Sequence, residues 1–301
     1  MKKDYVLGLS EEGFHRVFYT QWGDTSAHHL PLVCVHGLTR NGRDFDGLAA
    51  YLSGKGHAVF CPDIVGRGDS DWLHDPQHYT YEQYVADMNV LIARTKAPHI
   101  NWLGTSMGGL IGMVMAAADH TPIRRLILND VGAQIPVKAL TRLSKYAARD
   151  PDFTSLEQAK TYFKTVYTDF GDLDETEWQR ITETSVREIA PGKFISKMDH
   201  GVKQSSMKSK LAWKAFFHPH KALEGSLFDI DLWHLFRKIT CPLLLIHGTH
   251  SDLLTPAIIQ KMLRIRPDMQ ILEIPDAGHA PMLQKPWQWE TIETFLRDNK
   301  S

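Results

Sequence analysis

The 301-residue chain has little net charge, few cysteines and no long apolar run, and each shortage narrows what it can be. Lys and Arg total 34 against 35 for Asp and Glu, a formal net charge of −1. Such a chain has no basic field with which to grip nucleic acid or an anionic membrane, so neither is expected as a partner. The short run Arg124-Arg125 reads as a solvated helix or loop end. No segment approaches the roughly 18 apolar residues of a membrane span. Nor does an apolar stretch of signal-peptide length follow Met1-Lys2-Lys3-Asp4-Tyr5. The expectation is a soluble, cytoplasmic protein with no stable membrane association. Only three cysteines occur, Cys34, Cys61 and Cys241, each in or beside an apolar run. An odd number in such settings points to buried thiols and a reducing compartment, and away from a disulfide framework. Internal repeats and low-complexity stretches are lacking as well.

What is present is a globular composition, 43% hydrophobic and 23% charged. The length suits one large α/β domain with an insertion, or two ordinary domains. Along the first half, short apolar runs alternate with helical patterns, which implies a largely parallel sheet. His15–Trp22 reads as an early antiparallel strand, followed by strands at Leu32–Val35, Ala58–Cys61, Ile100–Leu103 and Ile123–Leu128. Helices are expected over Arg43–Ser53, ended by Gly54 and Gly56, and over the span from the Thr80 cap to Arg94. In the latter, Tyr84, Met88, Leu91 and Ile92 share the inner face, and Gln83 stands three residues after Thr80 as in a capping box. Small and apolar residues over Gly109–Ala118 make a tightly packed helix.

Residues 131–240 separate the strand at Ile123–Leu128 from the next clear one at Leu243–His247. A plain crossover needs far less, so most of this stretch is an insertion. It is helical in pattern around Leu156–Tyr167 and Trp178–Ile189, and rich in bulky groups such as Phe194, Met198, Met207, Trp213, Phe216 and Phe217. We expect a helical cap at 134–233, interrupting a core formed by 1–133 and 234–301. Most of those apolar residues would form the cap's own core. A helix starting at Thr255-Pro256, a last strand at Gln270–Ile274 and a closing helix at Trp287–Asp298 complete the pattern.

Gly104-x-Ser106-x-Gly108 follows an apolar strand and opens a small-residue helix, the setting of a nucleophile elbow. With 21 glycines in the chain, roughly 0.07 copies of this motif are expected by chance, so its context matters. Serine needs an adjacent base, and histidine titrates near neutrality. The chain has 16 histidines, so position must choose among them. His279, in Asp276-Ala277-Gly278-His279-Ala280, lies just after the last strand. His36 and His247 also follow strands, but their neighbours suggest other roles. His28, His29, His218 and His220 fall in polar loops or the insertion. For the orienting acid, Asp252 follows the penultimate strand and gives the chain order nucleophile, acid, base. Asp130 is the alternative acid, since it too ends a strand; its competing reading is a loop or helix cap. Asp63 reads as a turn residue ahead of Gly66-Arg67-Gly68. Developing negative charge on an acyl oxygen needs donors. The backbone N–H of Met107 supplies one, and Leu38, in His36-Gly37-Leu38-Thr39, is expected to supply the other.

His36-Gly37, Gly66-x-Gly68-x-Ser70, the elbow, Gly248-x-x-x-Asp252 and Gly278-His279 together resemble the α/β-hydrolase superfamily, in the family's order and across nearly the whole chain. Within it the chain is similar to capped serine esterases, lactonases and carbon–carbon hydrolases of ring-cleavage products. The resemblance implies an eight-stranded, mostly parallel sheet flanked by helices, no cofactor and no metal. It also implies hydrolysis through an acyl-enzyme formed on Ser106, with His279 and Asp252 as base and acid. Two departures tilt the expectation toward an ordinary ester carrying an apolar group. Ala280-Pro281-Met282 follows the histidine, where carbon–carbon hydrolases usually place an aromatic residue. Leu38-Thr39-Arg40 replaces their extended glycine-rich loop. A lactonase, a carbon–carbon hydrolase and a non-enzymatic receptor on the same fold stay as alternatives. Oligomeric state is not legible.

Overall fold

A computed structural model of the chain describes residues 1–25, 29–147, 152–202 and 229–298. Among these, eight strands form one sheet: β1 (Lys2–Ser10), β2 (Gly13–Trp22), β3 (Leu32–Val35), β4 (Val59–Pro62), β5 (Ile100–Thr105), β6 (Ile123–Asn129), β11 (Leu243–Gly248) and β12 (Gln270–Ile274). Their spatial order is β1-β2-β4-β3-β5-β6-β11-β12. The β1 and β2 hairpin joins antiparallel at one edge, and every pair from β4 to β12 is parallel.

The parallel strands are apolar on both faces because both are covered. Side chains alternate across a strand, and the core divides accordingly. Val33, Val35, Leu126, Leu128, Leu243 and Leu245 pack on one side with α2 (Tyr81–Arg94) and α3 (Met107–Ala116). Leu32, Cys34, Ile127, Leu244 and Ile246 face the other way, toward α1 (Asp46–Gly54) and the closing helix at Pro286–Arg297. The inner face expected for α2 is buried as read. Thr80 caps it by accepting from the Gln83 N–H at 3.2 Å, while the Gln83 side chain turns away to the Leu9 carbonyl and Asp87.

Two segments differ from the sequence expectation. β1 pairs with β2 over its whole length, from Lys2↔Gln21 to Ser10↔Gly13, yet it carries no visible strand signal. Its pattern is inverted: Tyr5, Leu7 and Leu9 are exposed, while Val6 and Gly8 point inward. The second is Trp178–Ile189, where the helix α6 (Glu175–Ser185) stops at Ser185. The chain then turns into a hairpin of β8 (Val186–Ala190) and β9 (Lys193–Ser196).

Between β6 and β11 lie β7 (Gln134–Ile135), α4 (Val137–Ala147), α5 (Leu156–Val166), α6 and the β8–β9 hairpin. At the two ends of the segment β7 pairs with β10 (Ile230–Asp231). Phe153, Phe163, Phe170, Trp178 and Ile181 form a separate apolar cluster there, which Met282 joins from the loop after β12. Met207, Trp213, Phe216 and Phe217, like His28, His218 and His220, lie outside the described residues. No described helix is long and apolar enough to cross a membrane. The three cysteines are free thiols, Cys34 and Cys61 buried and Cys241 half-buried.

The edge hairpin is tied to α2 by a buried pair, His15 Nε2 standing 3.0 Å from both carboxylate oxygens of Asp87. Burial pushes the His15 imidazole down, but the hydrogen bond and charge of Asp87 outweigh it and leave the value raised above 6.5. A raised value means that the charged pair contributes fully below the unfolded histidine's pKa and fades as pH rises through the folded one. Urea unfolding of wild type and Asp87→Asn should therefore show the widest stability gap below pH 6.5, narrowing toward pH 9. A gap that grows with pH would contradict this account.

Candidate active site

The site lies at the C-terminal ends of β3, β5, β6 and β12, where open α/β sheets build their clefts. Ser106 joins β5 to α3 with φ +49° and ψ −110°, a strained conformation for a residue with a side chain. The turn is possible because its neighbours are glycines. A Cβ on Gly104 would lie 2.2 Å from the Gly108 carbonyl, and one on Gly108 would lie 2.1 Å from the Val35 oxygen. The Ser106 N–H donates to the Asn129 carbonyl at 3.0 Å, locking the elbow to the end of β6.

His279 Nε2 stands 2.9 Å from Ser106 Oγ, and its Nδ1 stands 2.7 Å from Asp130 Oδ2. This corrects the expected acid. The carboxylate on the imidazole belongs to Asp130, which the sequence offered only as the alternative, and not to Asp252. Asp130 is fully buried at the end of β6 with φ +52°. It also accepts from the Gly248 N–H at 3.1 Å and the Ser251 hydroxyl at 2.6 Å. A carboxylate so supplied with donors makes Nδ1 of His279 the protonated nitrogen and leaves the Nε2 lone pair for the serine hydroxyl.

Asp252 is engaged elsewhere. Arg142, on α4, donates to it from Nε at 2.8 Å and Nη2 at 2.5 Å, and from Nη1 to Asp169 at 3.1 Å. The Arg142 hydrogen bond, against the opposing effect of burial and with the help of the Arg142 charge, holds the Asp252 carboxyl below its ordinary range. With a side chain 48% exposed, Asp252 fastens α4 to the loop after β11. The histidine loop is also clasped by the inserted segment, the Gly278 and Met282 N–H groups donating to the Asp169 and Phe170 carbonyls at 2.8 and 3.0 Å.

Met107 is the first residue of α3, so its N–H is among those without an acceptor inside the helix. Gly37 is adjacent to the serine, since a Cβ on it would stand 3.8 Å from Ser106 Cβ. That places Leu38 beside the nucleophile. His36 anchors this loop: Nδ1 donates to the Gly37 oxygen at 2.7 Å and Nε2 accepts the Ile64 N–H at 2.9 Å. Complete burial pushes its imidazole down to about 3, so it stays neutral. Asp63 is a turn residue as expected, bridging the Gly42 and Asp69 N–H groups at 2.7 and 2.8 Å.

A cavity of about 100 Å³ opens over Ser106 and His279. Leu38, Val166, Tyr167, Phe170 and Met282 give it an apolar wall, and Arg40, Asp44, Arg142 and Asp169 also line it. Arg40 is buried, paired with Asp44 and bonded to Ser185 Oγ at 2.6 Å, with Tyr167 and Phe170 stacked against it. Sequence reasoning gave neither arginine a place in the site, since the contacts that put them there, Arg40 with Ser185 and Tyr167 and Arg142 with Asp252, join distant parts of the chain. No group of residues suited to hold a metal ion occurs among the described residues.

This chain belongs to the α/β-hydrolase fold family, which it matches over residues 31–286. It is 36% identical over 292 residues, 97% of this chain and 96% of the other, to a 3-hydroxybutyrate-oligomer hydrolase of Cupriavidus necator. It is 24% identical over 249 residues, 82% of this chain and 81% of the other, to 2-(acetamidomethylene)succinate hydrolase of Mesorhizobium japonicum. The crystal structure of an α/β hydrolase from Novosphingobium aromaticivorans superposes with a TM-score of 0.81 at 31% identity, covering 98% of this chain and 97% of that one.

The two aspartates can be told apart by rate. Asp130→Asn should lower kcat for an activated ester by about 10⁴-fold, the loss seen when the orienting acid of a triad becomes an amide. Asp252→Asn should keep kcat within about tenfold and act mainly on KM, by removing one of the two carboxylates that hold Arg142 at the cavity wall. The opposite ranking would return the acid's role to Asp252.

Proposed function

We propose that the chain is a serine hydrolase that cleaves short carboxylic esters through an acyl-enzyme. The observation that carries this reading is the continuous chain Ser106–His279–Asp130, with contacts of 2.9 and 2.7 Å, at the floor of an apolar cavity. His279 Nε2 takes the hydroxyl proton as Ser106 Oγ attacks the carbonyl carbon, and Asp130 holds the imidazolium that results. The N–H groups of Met107 and Leu38 receive the developing oxyanion. His279 then returns the proton to the leaving alcohol. Water, activated by the same imidazole, releases the acid in the second half.

The substrate class we favour is a short oligoester of a 3-hydroxy acid, on the strength of the 36% identity to a 3-hydroxybutyrate-oligomer hydrolase across almost the full length of both chains. The cavity suits it. The cavity of about 100 Å³, walled by Val166, Tyr167, Phe170 and Met282, has room for a short acyl unit with a methyl branch. In this reading residues 134–233 form a cap that supplies the acyl-pocket wall, while the core supplies the chemistry.

The test is hydrolysis of p-nitrophenyl acetate, butyrate and octanoate, and of dimers and trimers of 3-hydroxybutyrate, by wild type and Ser106→Ala. Activity should fall by about 10⁴-fold or more with the serine, and the short esters should be turned over faster than the octanoate. A Ser106→Ala protein as active as wild type would end the serine mechanism. Turnover of activated esters but not of the oligomers would remove the substrate assignment alone.

A further inference from the structure

Arg67 is the one residue of Gly66-x-Gly68-x-Ser70 that has a long charged side chain, and it is completely buried. A buried guanidinium normally sits against a carboxylate, because removing a charge from water is otherwise costly. Here its hydrogen-bond partners among the described residues are all neutral. Nε donates to the Leu38 carbonyl at 3.1 Å; Nη1 donates to the Val65 carbonyl and the Tyr84 hydroxyl, both at 2.8 Å; Nη2 points at Met107 Sδ at 3.6 Å. The rings of Tyr84 and Tyr79 stand 4.9 and 5.8 Å from the guanidinium carbon. Gly66 and Gly68, at φ +83° and +59°, make the tight turn that aims the side chain inward.

Two of these partners are the residues whose backbone N–H groups face the reacting carbonyl in the mechanism above. We propose that Arg67 is the positioning residue of the oxyanion hole, holding Leu38 by its carbonyl and Met107 by its thioether in one rigid fork. The planar guanidinium bridges the two residues, which come from the loop after β3 and the start of α3, 69 positions apart in the chain. Binding the Leu38 carbonyl fixes the peptide plane that follows Leu38 and so restrains, through one residue's φ and ψ, the plane that carries its N–H. The unpaired positive charge adds a favourable potential where the oxyanion forms, in a setting too dry to screen it. No step passes through Arg67 itself, and it touches no reacting atom.

The inference rests on the serine mechanism, and the experiment separates the two. Wild type, Ser106→Ala, Arg67→Met, Arg67→Lys and Tyr84→Phe are compared on p-nitrophenyl acetate. Each is also titrated with a short trifluoromethyl ketone. That probe accepts Ser106 Oγ at its carbonyl carbon, the π pair moves to oxygen, and the serine proton passes to His279, so its affinity reports the oxyanion hole directly. Arg67→Met should lose about 10²-fold in kcat with KM little changed, and weaken the ketone by a similar factor. Arg67→Lys keeps the charge without the fork and should fall between. Tyr84→Phe removes a single partner of the guanidinium and should show a smaller loss in the same two readouts, at a wild-type melting temperature. This variant decides the matter if the Arg67 variants fail to fold. Wild-type kcat and ketone affinity in folded Arg67→Met, or in Tyr84→Phe where Arg67→Met does not fold, would overturn the proposal. Activity retained in Ser106→Ala would instead overturn the mechanism on which it stands.

Discussion

The strained backbone of Ser106 is the constraint from which the rest of the site follows. A residue at φ +49° costs on the order of 1–3 kcal/mol and persists only where its surroundings over-determine it. Here β5 ends against Asn129 of β6, and α3 begins against Val35 of β3, so the elbow is gripped from both neighbouring strands. The close approach requires glycine at 104 and 108, since any side chain would overlap backbone atoms. The same closeness delivers the loop after β3 to the nucleophile. The elbow therefore positions the serine and also decides which other strand ends can take part.

Charge is distributed around this elbow in a graded way. Nearest the serine, Asp130 is buried and its carboxylate is met by three donors, so it can stay inside without a cationic partner. Arg67 is its mirror image, a buried cation met by carbonyl, hydroxyl and thioether groups. Farther out, Arg40 and Arg142 are neutralised by Asp44, Asp169 and Asp252 at the cavity wall. The inner groups are solvated by oriented dipoles, and the outer ones by each other. Dipoles that are already oriented need no rearrangement when charge shifts during a reaction, which is the property a catalytic centre requires.

Most of this was legible in the sequence wherever the signal is local. The elbow, the strand alternation, the α2 face and the histidine loop each announce themselves within a dozen residues. The acid did not. Asp130 and Asp252 both follow a buried strand, and chain order permits either. What separates them is that Arg142, 110 positions before Asp252, claims that carboxylate, while Ser251 and Gly248 turn their donors toward Asp130. No local pattern encodes that competition. β1 escaped for a different reason: Tyr5, Leu7 and Leu9 face outward while only Val6 and Gly8 turn in, so the usual reading of an alternating strand points the wrong way. The same limit hid Arg67, which reads as a turn residue until its four partners, from four places in the chain, are brought around it.

The division of labour between core and insertion bears on what relatives can teach. Ser106, His279, Asp130 and the loop carrying Leu38 all stand at strand ends of the sheet, whose register is fixed by pairing along β3, β5, β6 and β11. Those positions cannot drift without disturbing the core. Val166, Tyr167, Asp169 and Phe170 lie between β6 and β11, in a segment that meets the loop after β3 at Thr39, Arg40 and Asn41 as well as Met282 and the histidine loop. That wall can be rebuilt while the chemistry beneath it stays. Likeness of fold alone therefore speaks for the scaffold and says little about the reaction or the substrate. The similarity to the oligomer hydrolase runs through that segment as well, over 97% of the chain.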